Sequence, residues 1–98
     1  MIKVRFTRAA LADIDRFVDF LSESDPDAAE ATLEVILNAL QVLQRHPYIG
    51  RPAEHGMREL IISRGRTGYI ALYAFYPATN ELLVAKLRHQ LEAGYSAE

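Results

Sequence analysis

Two prolines delimit a long helix in the first half of the sequence, and this helix constrains the fold more than any other feature. Asp25 suits an N-cap, and Pro26 suits the first helical position, where a backbone N–H is not needed. His46 ends the helix because the residue before a proline, here Pro47, disfavours the α region. We therefore predict a helix over about residues 26–45.

Apolar side chains occupy a wide arc of this helix. The arc consists of Ala28, Ala29, Ala31, Leu33, Val35, Ile36, Leu37, Ala39, Leu40, Val42 and Leu43. Since the apolar stripe of a surface helix normally faces one core, an arc this wide indicates contact with two layers. These layers are either the first helix and a sheet, or one internal layer and a partner protein. We expect the arc to be covered within the chain, and the partner protein is the alternative.

The residues before this helix predict a strand and another helix. Residues 2–6 alternate between apolar and basic side chains, which is typical of a half-buried strand. Thr7 suits the N-cap of a helix that continues to about Glu23. Apolar residues recur in it at helical spacing, at Leu11, Ile14, Phe17, Val18 and Leu21. Asp13, Arg16 and Asp19 fall outside the stripe that we expect to be buried.

Strand patterns follow in the second half. Residues 47–56 contain prolines and glycines and predict a loop, and strands are predicted at residues 57–62, 69–76 and 82–89 with hairpin-length connections. The middle strand, YIALYAFY, is apolar on both faces, which is typical of a central strand. The predicted fold class is α+β, in a single domain over residues 1–98. It comprises an N-terminal strand, a helical hairpin and a three-stranded antiparallel meander.

Composition limits the function classes. The chain is 50% hydrophobic and 24% charged, which is an ordinary globular composition. It has no cysteine and no apolar run of the ~18 residues that a membrane span needs, so we expect a cytoplasmic protein without membrane contact. A net charge of −2 argues against avid binding to a nucleic-acid backbone. Because P-loop, dinucleotide, zinc, thiol and serine-hydrolase signatures are missing, we expect no cofactor and no metal.

Polar chemistry is concentrated where the last predicted strand ends. Lys86 and Arg88 are fixed cations, His89 titrates near neutrality, and Tyr95 follows after a break of small residues. Together with Arg58 they match cleavage of RNA by its own 2′-hydroxyl, which needs an acid, a base and cations for the phosphate. His89 or Tyr95 would transfer protons, and the cations would hold phosphate. The alternative is a solvated, charged strand end, and spacing alone leaves both interpretations open.

Four segments of the chain form a recognisable set: FTRAALADIDRFVDFL, PDAAEATLEVILNALQVLQRHPYIGRP, MREL and LRHQLEAGY. In this order and at these intervals they resemble the ParE/RelE superfamily of bacterial toxins, and in particular the ParE-like proteins once called plasmid stabilisation proteins. The resemblance implies the toxin of a type II toxin–antitoxin pair. Its antitoxin, expected to be a ParD-like ribbon-helix-helix protein, would wrap around it in a hetero-oligomer that represses their shared operon.

The resemblance implies one of two activities. RelE-like members are ribosome-dependent mRNA endonucleases, whereas ParE-like members poison DNA gyrase and block replication. Tyr95 matches the C-terminal tyrosine of RelE-like members, but the arginine expected six residues earlier is His89, with Arg88 adjacent. Arg58 lies in the strand where those enzymes keep a further basic residue, and their lysine-rich surfaces are lacking.

These departures favour a gyrase inhibitor that is not an enzyme. The expected binding surface, for gyrase or the antitoxin, comprises Arg58, Lys86, Arg88, His89 and Tyr95. The alternative is a metal-independent mRNA endoribonuclease that acts on the ribosome. Its candidate catalytic residues are Arg58, Arg88, His89 and Tyr95.

Overall fold

A computed structural model describes residues 1–62, 68–90 and 94–95 of the protein. In chain order, one strand is followed by two helices and then by a group of strands. The elements are β1 (Lys3–Phe6), α1 (Arg8–Ser22), α2 (Pro26–Arg45), β2 (Arg51–Pro52), β3 (Arg58–Ile61), β4 (Tyr69–Tyr76) and β5 (Glu81–His89), with a 3₁₀ turn at Glu54–Gly56. The predicted connection between β3 and β4 lies mostly outside the described residues. Neither α1 nor α2 is long and apolar enough to cross a membrane, and the same holds throughout the described ranges.

The strands form one five-stranded sheet in the order β1-β5-β4-β3-β2. β1 pairs parallel to β5, and all other neighbours pair antiparallel. This confirms the predicted α+β fold with its helical hairpin and its meander of β3, β4 and β5. The prediction of a loop at residues 51–52 is wrong, because Arg51 and Pro52 pair with the start of β3. Since α1 and α2 pack on one face of the sheet, we call the opposite side the far face.

Both helices begin as their capping residues predict. The Thr7 hydroxyl accepts a hydrogen bond from the Ala10 amide at 3.0 Å, and the Asp25 carboxylate accepts one from the Ala28 amide at 3.2 Å. Each cap satisfies a backbone donor that the first turn of a helix leaves without a partner. α2 has the predicted bounds, and α1 ends one residue before the predicted Glu23.

Asp13 corrects the predicted orientation of α1, because its side chain is only 1% exposed. Its Oδ2 accepts a hydrogen bond from the Leu87 amide at 2.9 Å. The last β5 residue that pairs with β1 is Val84, so β5 continues beyond its neighbour. There α1 provides the missing partners: the Thr7 hydroxyl donates to the Ala85 carbonyl, and Asp13 takes the Leu87 N–H. The buried stripe of α1 is therefore centred on Ala10, Asp13 and Phe17, while Leu11 stays half exposed.

The wide apolar arc of α2 is only partly covered. Ala29, Ile36, Leu40 and Leu43 are buried, but Leu33, Val35, Leu37 and Val42 remain between 38% and 51% exposed. The expectation that the whole arc is covered within the chain is therefore wrong. The physical reason is that α2 packs mainly on α1, and its main contact with the described strands is at β1, near which Gln44 donates to the Ile2 carbonyl at 3.0 Å.

Candidate functional site

Two of the predicted site residues lie on the far face of the sheet. Arg88 is directly opposite Ile70, and Lys86 is directly opposite Leu72. Directly opposed residues of an antiparallel pair project from the same side of a sheet. Since Tyr69, Ala71 and Tyr73 of β4 belong to the core under the helices, alternation places Ile70 and Leu72 on the other side. Lys86 and Arg88 therefore project from the far face.

Arg58 and His89 belong to the helix-covered side. Arg58 is opposite Tyr73, and His89 is opposite Tyr69, and both tyrosines are core residues. Arg58 and Arg88 therefore do not share a face of the sheet, because the register of β3 and β5 against β4 gives their side chains opposite directions. The structure thus divides the predicted site residues between two faces.

Arg58 holds the loop that follows α2. Its guanidinium donates to the Tyr48 carbonyl at 3.2 Å and to the Gly50 carbonyl at 2.8 Å. The guanidinium carbon also lies 5.3 Å from the centre of the Tyr48 ring, within the range of a cation–π contact. These contacts give Arg58 a structural task at the start of β3.

Tyr73 completes the anchoring of that loop from within the core. Its hydroxyl donates to the Pro47 carbonyl at 2.8 Å and accepts from the Gly50 amide at 2.9 Å. Burial raises the pKa of the Tyr73 phenol, so the hydroxyl keeps its donated proton. A Cβ on Gly50 would lie 2.7 Å from the Tyr73 side chain, and only glycine allows this approach.

His89 closes the end of the helix-covered core. Its ring lies edge-on to Tyr69 with 5.3 Å between ring centres, and Tyr69 in turn lies 4.8 Å from Phe17 of α1. Such tilted and edge-to-face pairs are the favoured packing of aromatic rings. His89 therefore takes part in aromatic packing on the side away from Arg88.

Tyr95 joins the far face through a carboxylate that the sequence analysis did not single out. The Tyr95 hydroxyl donates to Glu59 Oε2 at 2.6 Å, and Arg51 Nε donates to Glu59 Oε1 at 3.1 Å. The Arg88 guanidinium carbon lies 5.4 Å from the centre of the Tyr95 ring. We call these residues, together with Lys86, the far-face cluster. The signal for Glu59 was its place next to Arg58 in a predicted strand, where alternation sends neighbours to opposite faces.

The far-face cluster shifts the pKa of two of its own members. Burial raises the pKa of Tyr95, and the hydrogen bond to the Glu59 carboxylate and its negative charge raise it further against the opposing effect of Arg88. The hydrogen bond from Tyr95 lowers the pKa of Glu59, with Arg51 adding to the effect. At neutral pH the pair is therefore a neutral phenol that donates to an ionised carboxylate.

This arrangement is suited to binding more than to proton transfer. A general base needs a pKa near the working pH, whereas the Tyr95 phenol holds its proton more tightly than an ordinary tyrosine. His89, the other candidate, projects from the opposite side of the sheet. Among the described residues no group of histidine and carboxylate side chains is arranged to hold a metal ion.

Comparison with known protein families and curated sequences gives consistent similarities. The family described as "ParE toxin of type II toxin-antitoxin system, parDE" matches residues 4–94. A curated relative, toxin RelE3 of Caulobacter vibrioides, is 33% identical over 92 residues, which are 94% of this chain and 98% of that protein.

Solved structures are similar over the same length. A chain of the chromosomal ParDE system from P. aeruginosa has a TM-score of 0.76 at 25% identity, covering 91% of this chain and 96% of that one. A chain of the toxin–antitoxin complex RelBE2 from Mycobacterium tuberculosis has a TM-score of 0.61 at 25% identity, covering 91% and 98%. The YoeB/ParE toxin from Agrobacterium tumefaciens, with a TM-score of 0.65 at 18% identity over 91% and 99%, shows the shared fold alone.

Proposed function

The chain belongs to the family of ParE toxins of type II toxin–antitoxin systems, and from this premise we propose that it inhibits DNA gyrase by binding it. The observation that carries the proposal is the separation of the candidate acid and base. His89 packs against Tyr69 on the helix-covered side, whereas Tyr95 is bound to Glu59 on the far face. An acid–base pair for RNA cleavage would have to approach one phosphodiester together.

The charge of the molecule supports a protein target. A net charge of −2 gives little long-range attraction for the phosphate backbone of ribosomal or messenger RNA. The far-face cluster nevertheless offers a local basic and aromatic patch through Arg88, Lys86 and Tyr95. Tyrosine and arginine are the side chains that most often dominate the binding energy of protein interfaces. In this proposal the target-binding surface is the far-face cluster, and Arg58 and His89 support the fold.

An antitoxin is the second proposed partner. Part of α2 is left apolar and exposed, at Leu33, Val35, Leu37 and Val42. Leu33 and Leu37 stand one turn apart on one side of the buried stripe of α2, and Val35 and Val42 lie on its other side. Exposed apolar patches of this kind mark protein-binding surfaces. A solved relative with 25% identity comes from a toxin–antitoxin complex, which supports an antitoxin in a hetero-oligomer with this chain. We propose an antitoxin of the ParD-like ribbon-helix-helix class, in line with the match to the parDE toxin family.

The second candidate function is ribosome-dependent mRNA cleavage. It is favoured by the curated relative with 33% identity, whose name, toxin RelE3, groups it with the RelE branch. In that case Tyr95 and Arg88 would act on the message from the far face, and His89 would have to reach it from the other side of the sheet.

A supercoiling assay separates the two functions. The purified protein is added to gyrase and relaxed plasmid. In parallel it is added to an in vitro translation reaction, and the messenger RNA is then mapped for cuts. We expect inhibited supercoiling or trapped, cleaved plasmid together with an intact message. Active gyrase together with a cut message would reject the proposed function in favour of the alternative.

A further inference from the structure

We propose that Glu59 is the positioning residue of the toxin: it fixes Tyr95 and Arg51 on the far face and so shapes the surface that meets the target. The inference rests on the proposed function, since it assumes that the far-face cluster binds the target. It goes beyond that function by assigning a task to a carboxylate that touches no target itself.

The Glu59 carboxylate uses both of its oxygens for this task. One oxygen accepts from the Tyr95 hydroxyl at 2.6 Å and the other from Arg51 Nε at 3.1 Å. Its side chain is 18% exposed, whereas that of Arg51 is 54% exposed. Charge-assisted hydrogen bonds of this kind are shorter and stronger than neutral ones. A partly buried acceptor thus connects Tyr95 with an arginine that lies nearer the surface.

The sheet register explains why this connection organises a surface. Glu59 is opposite Leu72 on β4, and Leu72 is opposite Lys86 on β5, so the three side chains form a row across the far face. Neighbours in such a row stand about 5 Å apart. The Tyr95 ring approaches this row from outside the sheet and contacts the Arg88 guanidinium at 5.4 Å. One carboxylate therefore lies at the centre of a patch made mostly of cations and a phenol.

The shape of this surface depends on the contact between Glu59 and Tyr95, two residues that are distant in sequence. Tyr95 lies 36 residues from Glu59 and follows the end of β5, outside any strand or helix. Side chains beyond the last element keep one position only when a tertiary contact holds them. Without the carboxylate, Tyr95 keeps its contacts with Arg88, which are a cation–π contact and a hydrogen bond to the phenol, but it loses the charged acceptor of its own proton.

The test uses Glu59→Gln, which keeps the size of the side chain and removes its charge, and Tyr95→Phe, which removes only the hydroxyl. Glu54→Gln is the matched control, since it removes one negative charge from a side chain that is 94% exposed. Growth inhibition at equal expression and the concentration that halves gyrase supercoiling are measured for each variant and for the Glu59→Gln/Tyr95→Phe double variant. Thermal unfolding identifies any variant that fails to fold.

We expect each single variant to lose roughly tenfold in potency, which corresponds to one charge-assisted hydrogen bond, and Glu54→Gln to lose nothing. The double variant should be no weaker than either single variant, because both remove the same contact. Wild-type potency in folded Glu59→Gln would overturn the inference, and so would losses that multiply to roughly a hundredfold in the double variant. If Glu59→Gln does not fold, Tyr95→Phe decides alone, and undiminished potency overturns the inference.

A spectroscopic signature distinguishes positioning from mere stability. In protein labelled with ¹³Cζ-tyrosine, the Tyr95 resonance should titrate at higher pH than that of an ordinary tyrosine, and Glu59→Gln should lower that pH. An unchanged Tyr95 titration in Glu59→Gln would contradict the inference. Should wild-type protein leave gyrase untouched, the proposed function fails, while growth inhibition by the same variants still tests Glu59.

Discussion

Single side chains connect the elements of this protein at places that its apolar pattern does not reveal. Asp13 reaches from α1 to the Leu87 amide, and Glu59 reaches from β3 to Tyr95 beyond the end of β5. Both are carboxylates that accept hydrogen bonds across long sequence separations. At this scale, one group that loses its partner changes stability or surface geometry more than a change in apolar content does.

Replacing Asp13 tests the first of these connections. Asp13→Ala leaves the Leu87 N–H buried without an acceptor, so we expect the free energy of unfolding to fall by about 2 kcal/mol and the Tm by roughly 10 °C. Urea and thermal unfolding followed by circular dichroism measure both quantities. Asp19→Ala, in the exposed part of α1, is the control and should stay within about 0.5 kcal/mol of wild type. Equal stability of the two variants would contradict the described role of Asp13.

High pH tests the environment of Tyr95. Because burial and Glu59 raise its pKa in the folded protein, the unfolded chain loses this proton first as the pH rises above about 10. The folded state then binds more protons than the unfolded state, so the contribution of Tyr95 to stability is present below pH 10 and is lost above it. Urea unfolding between about pH 9 and pH 11 should show a steeper loss for wild type than for Tyr95→Phe. Parallel curves for the two proteins would be inconsistent with the raised pKa.

At the scale of elements, local signals predicted the helices and strands well. The bounds of α2 follow from Asp25, Pro26 and Pro47, and those of β4 follow from its continuous apolar run. Sheet register was not predictable, because alternation fixes the two faces of a strand without fixing which residues it pairs with. The irregularity between Leu72 and Tyr73, where Lys86 and Val84 are the successive partners, adds a shift that no residue type announces.

The sheet register also explains why the predicted site residues divide between the two faces of the sheet. Lys86 and Arg88 share a face because they stand two positions apart in one strand, which the sequence alone predicts. Arg58 and His89 project from the other side of the sheet, and the sequence does not reveal this because their faces depend on pairing with Tyr73 and Tyr69. Asp13 was placed outside the buried stripe because apolar periodicity gives no weight to a carboxylate that has a buried backbone donor within reach.

The exposed residues Leu33 and Leu37, which stand one turn apart on α2, carry a prediction about the antitoxin. Leu37 is 51% exposed, so Leu37→Glu should leave the free energy of unfolding within about 0.5 kcal/mol of wild type. The same change should weaken antitoxin binding at least ~10-fold, because a charge would be buried in an apolar contact. Calorimetric titration with the antitoxin measures the affinity, and Asn38→Glu is the matched control, since Asn38 is exposed and lies about 100° around the helix from Leu37. Equal affinity of both variants would exclude the side of α2 that carries Leu33 and Leu37 as the antitoxin surface.

At the scale of the whole molecule, the sheet separates a helix-covered, structural side from the far face, which we propose to be the target-binding side. The helices, Arg58 and His89 belong to the first, and the far-face cluster belongs to the second. This division predicts that His89 does not matter for toxicity. His89→Gln should inhibit growth as wild type does, whereas loss of a general acid or base would lower activity by roughly 10²- to 10⁴-fold.

Growth inhibition at matched expression measures this prediction, with the unfolding temperature as a check on folding. His55→Gln, in the exposed 3₁₀ turn, is the control for replacing a histidine by glutamine. A large loss of toxicity in folded His89→Gln, but not in His55→Gln, would favour the endonuclease alternative.

The central claim, that the toxin acts by binding gyrase through its far face, is tested most directly by the dissociation constant of the purified chain and gyrase. We predict measurable binding by wild-type protein and a loss of roughly tenfold or more in Arg88→Ala, which removes a cation of the target-binding surface. The control Arg8→Ala, at the exposed start of α1, should bind as wild type does. Absence of gyrase binding by a wild-type preparation that still arrests growth would contradict the claim.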